Sequence, residues 1–494
     1  MTKYTQILFC FIIIFLNTAK AQADKTSTIY KTILSRDSLL FSVGFNTCDF
    51  KQMENLLSDQ LEFYHDKDGI SDKKKFMTDF RNGLCKSPET YRAKRALISN
   101  STQIYPMYKN GELYAVIQNG AHQFYESINH QPEQLVGSAQ FTNFWFLENG
   151  NWRLRKSLSF DHQAKQASED ASSENDQDIE DLLKKFNIPT LGLGIIEGSE
   201  LKQIKVFGEI KKDVSAPYNT YFNVASLTKP VTAMVALRLI SLGKWKLDEP
   251  LASYWTDPDI AHDPRHKKLT TRLILSHQTG FPNWRWMNPD KKLSFQFDPG
   301  TKYQYSGEGF EYLKKALESK FRKTLDQLAK ELIFEPLKMG DTNYVWDKNT
   351  DESRFAIGYN KESLPYPVEK TKTANAADDL HTTIEDYGNF IVSVMKGSLL
   401  KRDIFQEMIK RQVKTKENKY FGLGFEIYDL GNGEYALAHG GADLGTRCIA
   451  IVLPKSGKGI LIFTNTDDGY KVYEKLAIHY LGEQGKKIAE IENK

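Results

Sequence analysis

Residues 221–251, YFNVASLTKPVTAMVALRLISLGKWKLDEPL, place Ser226 and Lys229 three positions apart at the start of a helical run. Residues i and i+3 are neighbours on one helix face, so the Lys229 amine can reach the Ser226 oxygen. A serine hydroxyl is a weak nucleophile until an adjacent base takes its proton. A place in the first helical turn adds unpaired N–H groups and a positive helix end, and both favour an oxyanion. Pro230 suits that placement, because the hydrogen bond it forfeits would go to the Ser226 carbonyl at the very start of the helix. Ser-x-x-Lys also arises by chance at surface helix starts, so the rest of the chain has to decide.

The 494 residues predict two or three domains. A hydrophobic content of 40% is ample for globular cores, and 66 basic against 63 acidic residues argue against a nucleic-acid partner. Residues 1–22 read as an export signal: Lys3 supplies the positive start, Ile7 to Leu16 the apolar core, and Ala19-Lys20-Ala21 a small-x-small cleavage site. That apolar run is too short to span a bilayer. The reading places the protein in the periplasm or outside the cell, with no stable membrane span after cleavage. Cys10 lies inside the apolar core, which argues against a lipoprotein anchor. Export leaves Cys48, Cys85 and Cys448; the first two are able to form a bridge, and Cys448 reads as a small buried residue. No Cys/His cluster has zinc spacing, and His262 and His266 occupy a polar loop, so neither a metal nor a cofactor is expected.

Residues 163–178 lack large apolar side chains and read as a linker between two folded units. The expected architecture is α+β in two domains, at 28–162 and 179–486. The first opens with helical patterns and continues as strands, and Asn149-Gly150 between aromatic strands is a hairpin signal. Helices followed by a curved antiparallel sheet, with the phrases FNTCDF, LEFYHDKDG and NWRLRKSLSFDH, resemble the SnoaL-like cone fold. That resemblance implies ligand holding or homodimerisation. Asp49, His65 and Asp66 are able to line a pocket, but loop polars of this kind usually face solvent, and no activity is assigned here.

The second unit begins with two alternating runs around Gly198-Ser199 and ends with four more, YFGLGFEIYDL, GEYALAHGG, TRCIAIVLP and KGILIFTNT, before an amphipathic helix. Strands at both ends with helices between imply one antiparallel sheet covered by helices, joined to a helical subdomain. Beyond Ser226 and Lys229, Tyr305 precedes Ser306-Gly307, and His439-Gly440-Gly441 ends a strand. This order, with LILSHQTGFPNWRW, DPGTKYQYSGEGF, ELIFEPLKMGDTNY and AADDLHTTIEDYGNF, resembles the class C β-lactamases and their esterase and peptidase relatives over about 300 residues.

The resemblance implies that Ser226 forms an acyl-enzyme, that Lys229 or Tyr305 is the base, and that Tyr305 relays protons to the leaving group. It further implies an oxyanion hole from the N–H groups of Ser226 and Ala442. His439, Gly440, Gly441 and Gly307 are the expected substrate-binding positions. Lys229 acts as a base only when uncharged, and burial or a nearby cation lowers a lysine in that direction. Two departures bear on the substrate. Gly307 stands where class C enzymes carry an asparagine, and His439 where they carry a lysine. Histidine is mostly neutral at pH 7, which favours an ester, amide or small-peptide substrate. A class C β-lactamase or D,D-carboxypeptidase is the alternative, and a receptor that is acylated without turnover belongs to another class. Trp284, Trp286, Phe295 and Phe297 either shape an apolar acyl pocket or simply pack a loop.

Overall fold

A computed structural model describes residues 22–98, 101–129, 133–164, 176–348 and 350–494. Residues 1–21, all but the last of those read as an export signal, and most of the residues read as a linker therefore lie outside the described residues. The chain divides into two compact units, the first built largely from residues up to 170 and the second from 171 onward.

The first unit is a seven-stranded sheet with helices against one face. Its spatial order is Gly69–Asp72, Leu57–His65, Asn151–Ala164, Gln134–Glu148, Glu112–Ile128 and Tyr91–Leu97, with Gln103–Lys109 also pairing Glu112–Ile128. Asn149 and Gly150 take φ values of 50° and 78°, the positive pair that a two-residue hairpin needs to match strand twist. Leu57–His65 pairs in parallel with Asn151–Ala164, so the ends of those strands meet although they lie far apart in sequence. Ile33, Leu40, Met53, Phe80, Ile104, Val116 and Trp145 form the core. Helices Phe50–Leu56 and Lys73–Asn82 are capped by the carboxylates of Asp49 and Asp72. Asp49 is thus spent on a cap. Cys48 and Cys85 form a disulfide.

The second unit is built on one antiparallel sheet of nine strands. Val214–Ser215, Glu200–Lys211, Thr190–Glu197, Lys458–Thr464, Thr446–Leu453, Glu434–Asp443, Glu426–Gly431, Lys419–Phe421 and Val413–Lys416 follow one another in space. The run expected as one strand at 420–430 is two, because Gly424 takes φ 86° and turns the chain between them. One sheet face packs on helices Thr228–Ser241 and Ile384–Lys396, and the other on Asp176–Phe186, Tyr473–Leu481 and Glu483–Glu492. Helix Asp176–Phe186 starts inside the residues read as linker, since Ile179, Leu182 and Leu183 bury against the sheet. The last helix runs past residue 486 for the same reason, through Ile488 and Ile491. No helix among the described residues is long and apolar enough to cross a membrane. Cys448 is fully buried.

Candidate active site

Ser226 occupies the single 3-10 turn Ala225–Leu227, which runs directly into helix Thr228–Ser241. Ala225 takes φ 45°, a left-handed conformation that costs a residue with a side chain about 1–2 kcal/mol. Neighbours hold it there. The Ala225 N–H donates to Asn223 Oδ1 at 2.8 Å, its carbonyl accepts from Thr228 Oγ1 at 2.6 Å, and the Tyr387 hydroxyl donates to the Leu227 carbonyl at 2.9 Å. The strain aims the Ser226 side chain away from the core, and Ser226 is only half-buried.

Lys229, one turn on, is 1% exposed. Its Nζ lies 2.9 Å from Ser226 Oγ and 2.8 Å from the Ala377 carbonyl, and 4.6 Å from the Tyr305 ring centroid. None of these contacts is an anion. Burial therefore pushes the amine well below its ordinary value, opposed only by the more distant Asp378 carboxylate. Tyr305 moves the other way: burial drives its phenol up, against a hydrogen bond to Ser226 that pulls it down. An amine that loses its proton easily and a phenol that keeps it are suited to different tasks. Lys229 is equipped to accept the Ser226 proton, and Tyr305 to hold or pass one.

The side chain that places Tyr305 was not singled out in the sequence. His277 is buried, its Nδ1 accepts the Ser306 N–H at 3.0 Å, and its ring lies 4.3 Å from that of Tyr305. Ser306 also caps helix Gly307–Phe321, its Oγ accepting from the Gly309 N–H at 3.1 Å. The cap and the imidazole fix the backbone just after Tyr305. Burial holds His277 well below its ordinary value, so it is a neutral ring.

Strand Glu434–Asp443 lies against the Ser226 turn. A Cβ on Gly441 would stand 2.3 Å from the Val224 carbonyl and 3.3 Å from the Leu227 nitrogen, so only glycine permits this approach. Ala442, the next residue, is thereby brought alongside the turn. Gly440 is different: it is exposed, and a Cβ there would meet nothing closer than 3.9 Å. His439 is buried, with Nδ1 2.7 Å from the Gly440 carbonyl. Burial and the nearby Lys229 lower it to about 3, so it is neutral throughout the physiological range and offers Nε2 as an acceptor.

Gly307 is buried under Trp284, whose ring would stand 2.8 Å from an added Cβ. The space for an asparagine side chain is filled by indole, and the Gly307 N–H is committed to Asn283 Oδ1 at 2.9 Å. Phe295 stacks on Phe281 in the core, whereas Trp286 is 65% exposed. Of the four loop aromatics, Trp284 alone is shown against a site residue. His262 lies in a turn, whereas His266, expected in a loop, lies in the 3-10 helix Pro264–Lys268 with its Nδ1 2.7 Å from the Asp263 carbonyl.

A second group that the sequence did not reveal is acidic. Carboxylate oxygens of Asp378, Asp379 and Asp443 lie within 4.8 Å of one another. Asp378 follows the residue whose carbonyl holds Lys229, and Asp443 follows Ala442. Burial and the neighbouring carboxylates raise both Asp378 and Asp379 above the usual range. Each of these residues looks like an ordinary polar loop residue in the sequence, and only the fold gathers them.

A serine–lysine contact at the edge of an antiparallel sheet covered by helices defines one class of serine hydrolase. Residues 175–482 match the family described as Beta-lactamase, and the chain belongs to that family. It is 21% identical over 326 residues to protein flp of Staphylococcus aureus, covering 61% of this chain and 64% of that protein. The chain thus spans somewhat less than two thirds of that relative. A beta-lactamase of Yersinia enterocolitica is 22% identical over 284 residues, covering 54% of this chain and 72% of the relative. Among solved structures, the octameric penicillin-binding protein homologue from Pyrococcus abyssi superposes with a TM-score of 0.53 at 18% identity, covering 61% of this chain and 76% of that one. A penicillin-binding protein from Bacillus halodurans gives 0.51 at 19%, covering 60% and 99%.

Proposed function

We propose that the second unit hydrolyses an ester, or an amide or small peptide, through an acyl-enzyme on Ser226. The observation that carries this reading is a buried lysine touching the serine oxygen, with a hydroxyl and a carbonyl as its hydrogen-bond partners. Uncharged Lys229 takes the Oγ proton as Oγ bonds to the substrate carbonyl carbon. The N–H groups of Ser226 and Ala442 receive the oxyanion. Tyr305 passes a proton to the leaving group, and water then releases the acid and restores Ser226.

Three features support a neutral or cationic substrate over a carboxylate-bearing β-lactam. His439 is uncharged where a cation would bind the carboxylate. Trp284 fills the room that an amide-binding side chain at position 307 would need. Asp378, Asp379 and Asp443 already crowd one another, and Asp378 and Asp443 directly follow Ala377 and Ala442, so a carboxylate-bearing substrate would add charge where burial and repulsion resist it.

In the same reading the protein is exported, which the Cys48–Cys85 bridge supports, since such bonds persist in oxidising compartments. The first unit, by its helices and curved sheet, is a SnoaL-like cone that holds a ligand or pairs two copies. A fluorophosphonate should label the wild-type chain and leave Ser226→Ala unlabelled, and p-nitrophenyl esters should be turned over with higher kcat/KM than nitrocefin. Folded wild-type protein that resists labelling overturns the mechanism. Faster nitrocefin turnover overturns the substrate preference and favours a β-lactamase or D,D-carboxypeptidase.

A further inference from the structure

We propose that the first unit binds a divalent transition-metal ion, zinc by its donor set, between His65, Asp66 and His162. A ring nitrogen from each histidine and a carboxylate oxygen of Asp66 lie within 4.8 Å of one another. Tetrahedral zinc with bonds of about 2.0–2.1 Å spaces its ligand atoms roughly 3.4 Å apart. The Asp66 Oδ1–His162 Nδ1 hydrogen bond of 2.5 Å must open by about 0.9 Å and give up its proton for both atoms to ligate one ion. Two imidazoles and one carboxylate suit zinc and its first-row neighbours, whereas magnesium and calcium demand all-oxygen sites.

The fold builds this cluster from two places. His65 and Asp66 lie at the end of strand Leu57–His65, and His162 lies near the end of Asn151–Ala164, with His65 in register with Ser159. Asp161 takes φ 58°, and the pairing with strand Gln134–Glu148 slips between Ser138 and Gln140. That irregularity re-aims the side chain that follows, as bulges do beside functional sites. The result brings the two imidazole rings to 4.3 Å between centroids. A separation of 96 residues between Asp66 and His162 is why no ligand spacing is visible in the sequence.

His162 is oriented as metal-bound histidines usually are, by a partner on its second nitrogen. His162 Nε2 lies 3.3 Å from Ser159 Oγ, which leaves Nδ1, 2.5 Å from Asp66 Oδ1, as the ligating nitrogen. The His162 backbone N–H donates to Asp66 Oδ2 at 3.2 Å and holds the carboxylate with Oδ1 toward the two imidazole rings. The N–H groups of Lys67 and Asp68 donate to His65 Nδ1, each at 3.2 Å, so an ion ligated by this nitrogen takes the lone pair that these two long bonds now share and leaves Nε2–H as the outward donor. Phe63 and Phe124 flank the histidines, lowering the local dielectric on one side. Asp66 remains a third exposed and Asp68 mostly exposed, so an ion has a path in and a carboxylate at the entrance.

The test is calorimetric titration of the untagged, EDTA-stripped full chain with ZnCl2. Wild type should bind one equivalent that the His65→Ala/His162→Gln double variant lacks and that Asp443→Asn retains. Ser159→Ala should weaken binding about 10-fold. X-ray absorption at the zinc edge of the wild-type complex should show two imidazole scatterers, a readout independent of whether any variant folds. Binding equal in wild type and double variant, binding lost only in Asp443→Asn, or fewer than two imidazoles would each overturn the proposal.

Discussion

Each unit holds a long basic side chain no more than 3% exposed, Arg95 in the first and Lys229 in the second, and the two are resolved in opposite ways. In the first, Arg95 is 3% exposed and meets Asp37 through two N–H···O bonds of 2.6 and 3.2 Å. Its Nε donates to His122 Nδ1 at 3.0 Å, and Gln118 Nε2 donates to the same Asp37 at 3.0 Å. The Phe41 and Phe141 rings cover the guanidinium. In the second, Lys229 is as deeply buried but meets a hydroxyl, a carbonyl and a ring face. Burial is common to both, so the partner decides the outcome. A planar cation matched by a carboxylate orders a core, and an amine matched by neutral oxygens becomes a base.

The sharpest way to break this contrast is Lys229→Met. Acylation by a fluorophosphonate should slow by about 10²–10⁴-fold, the usual contribution of a positioned base. Stability should not fall with it. A lysine whose folded value is depressed binds its proton in the unfolded chain over the window from that lowered value up to about 10.4. Wild-type stability therefore rises with pH across that window, and the cost of the buried amine is greatest below it. Thermal unfolding should show the variant at least as stable as wild type at pH 6, with its advantage shrinking toward pH 10. A variant that melts well below wild type at pH 6 would mean that Lys229 is structural, like Arg95.

Asp37→Asn probes the other side. Removing the anion leaves a buried guanidinium uncompensated, which costs about 3–5 kcal/mol. Chemical denaturation should show that loss in the first unit, with the rate of Ser226 labelling unchanged.

The smallest effect is expected from Asp378→Asn. Its carboxylate raises Lys229, so removing it should lower the amine further. The limb on which kcat/KM increases with pH should move toward acid by about one unit. A limb that stays in place, or moves toward alkali, would show that another group governs it.

Much of the fold was legible because short-range patterns carried it. Asn149-Gly150 and Gly198-Ser199 mark hairpins through their backbone freedom, and the alternating runs at both ends of the second unit predicted one antiparallel sheet. The single strand expected at 420–430 failed because Gly424 breaks the run, and alternation alone does not reveal a turn inside apolar sequence. At the site, Ser226 and Lys229 were legible because one helical turn joins them. Tyr305 and His439 were visible only through resemblance, Trp284 was open between pocket wall and loop packing, and His277 and the three aspartates received no role. Their partners lie tens to hundreds of residues away, beyond the reach of local pattern.

The order of residues by itself determined a hydroxyl and an amine within one turn, two folded regions and the strands that frame the second. Only the folded chain decided which charges would be kept. Whether a basic group holds its proton depends on solvent exclusion and on the nearest oxygen's charge, and both arise from segments brought together by packing rather than by sequence.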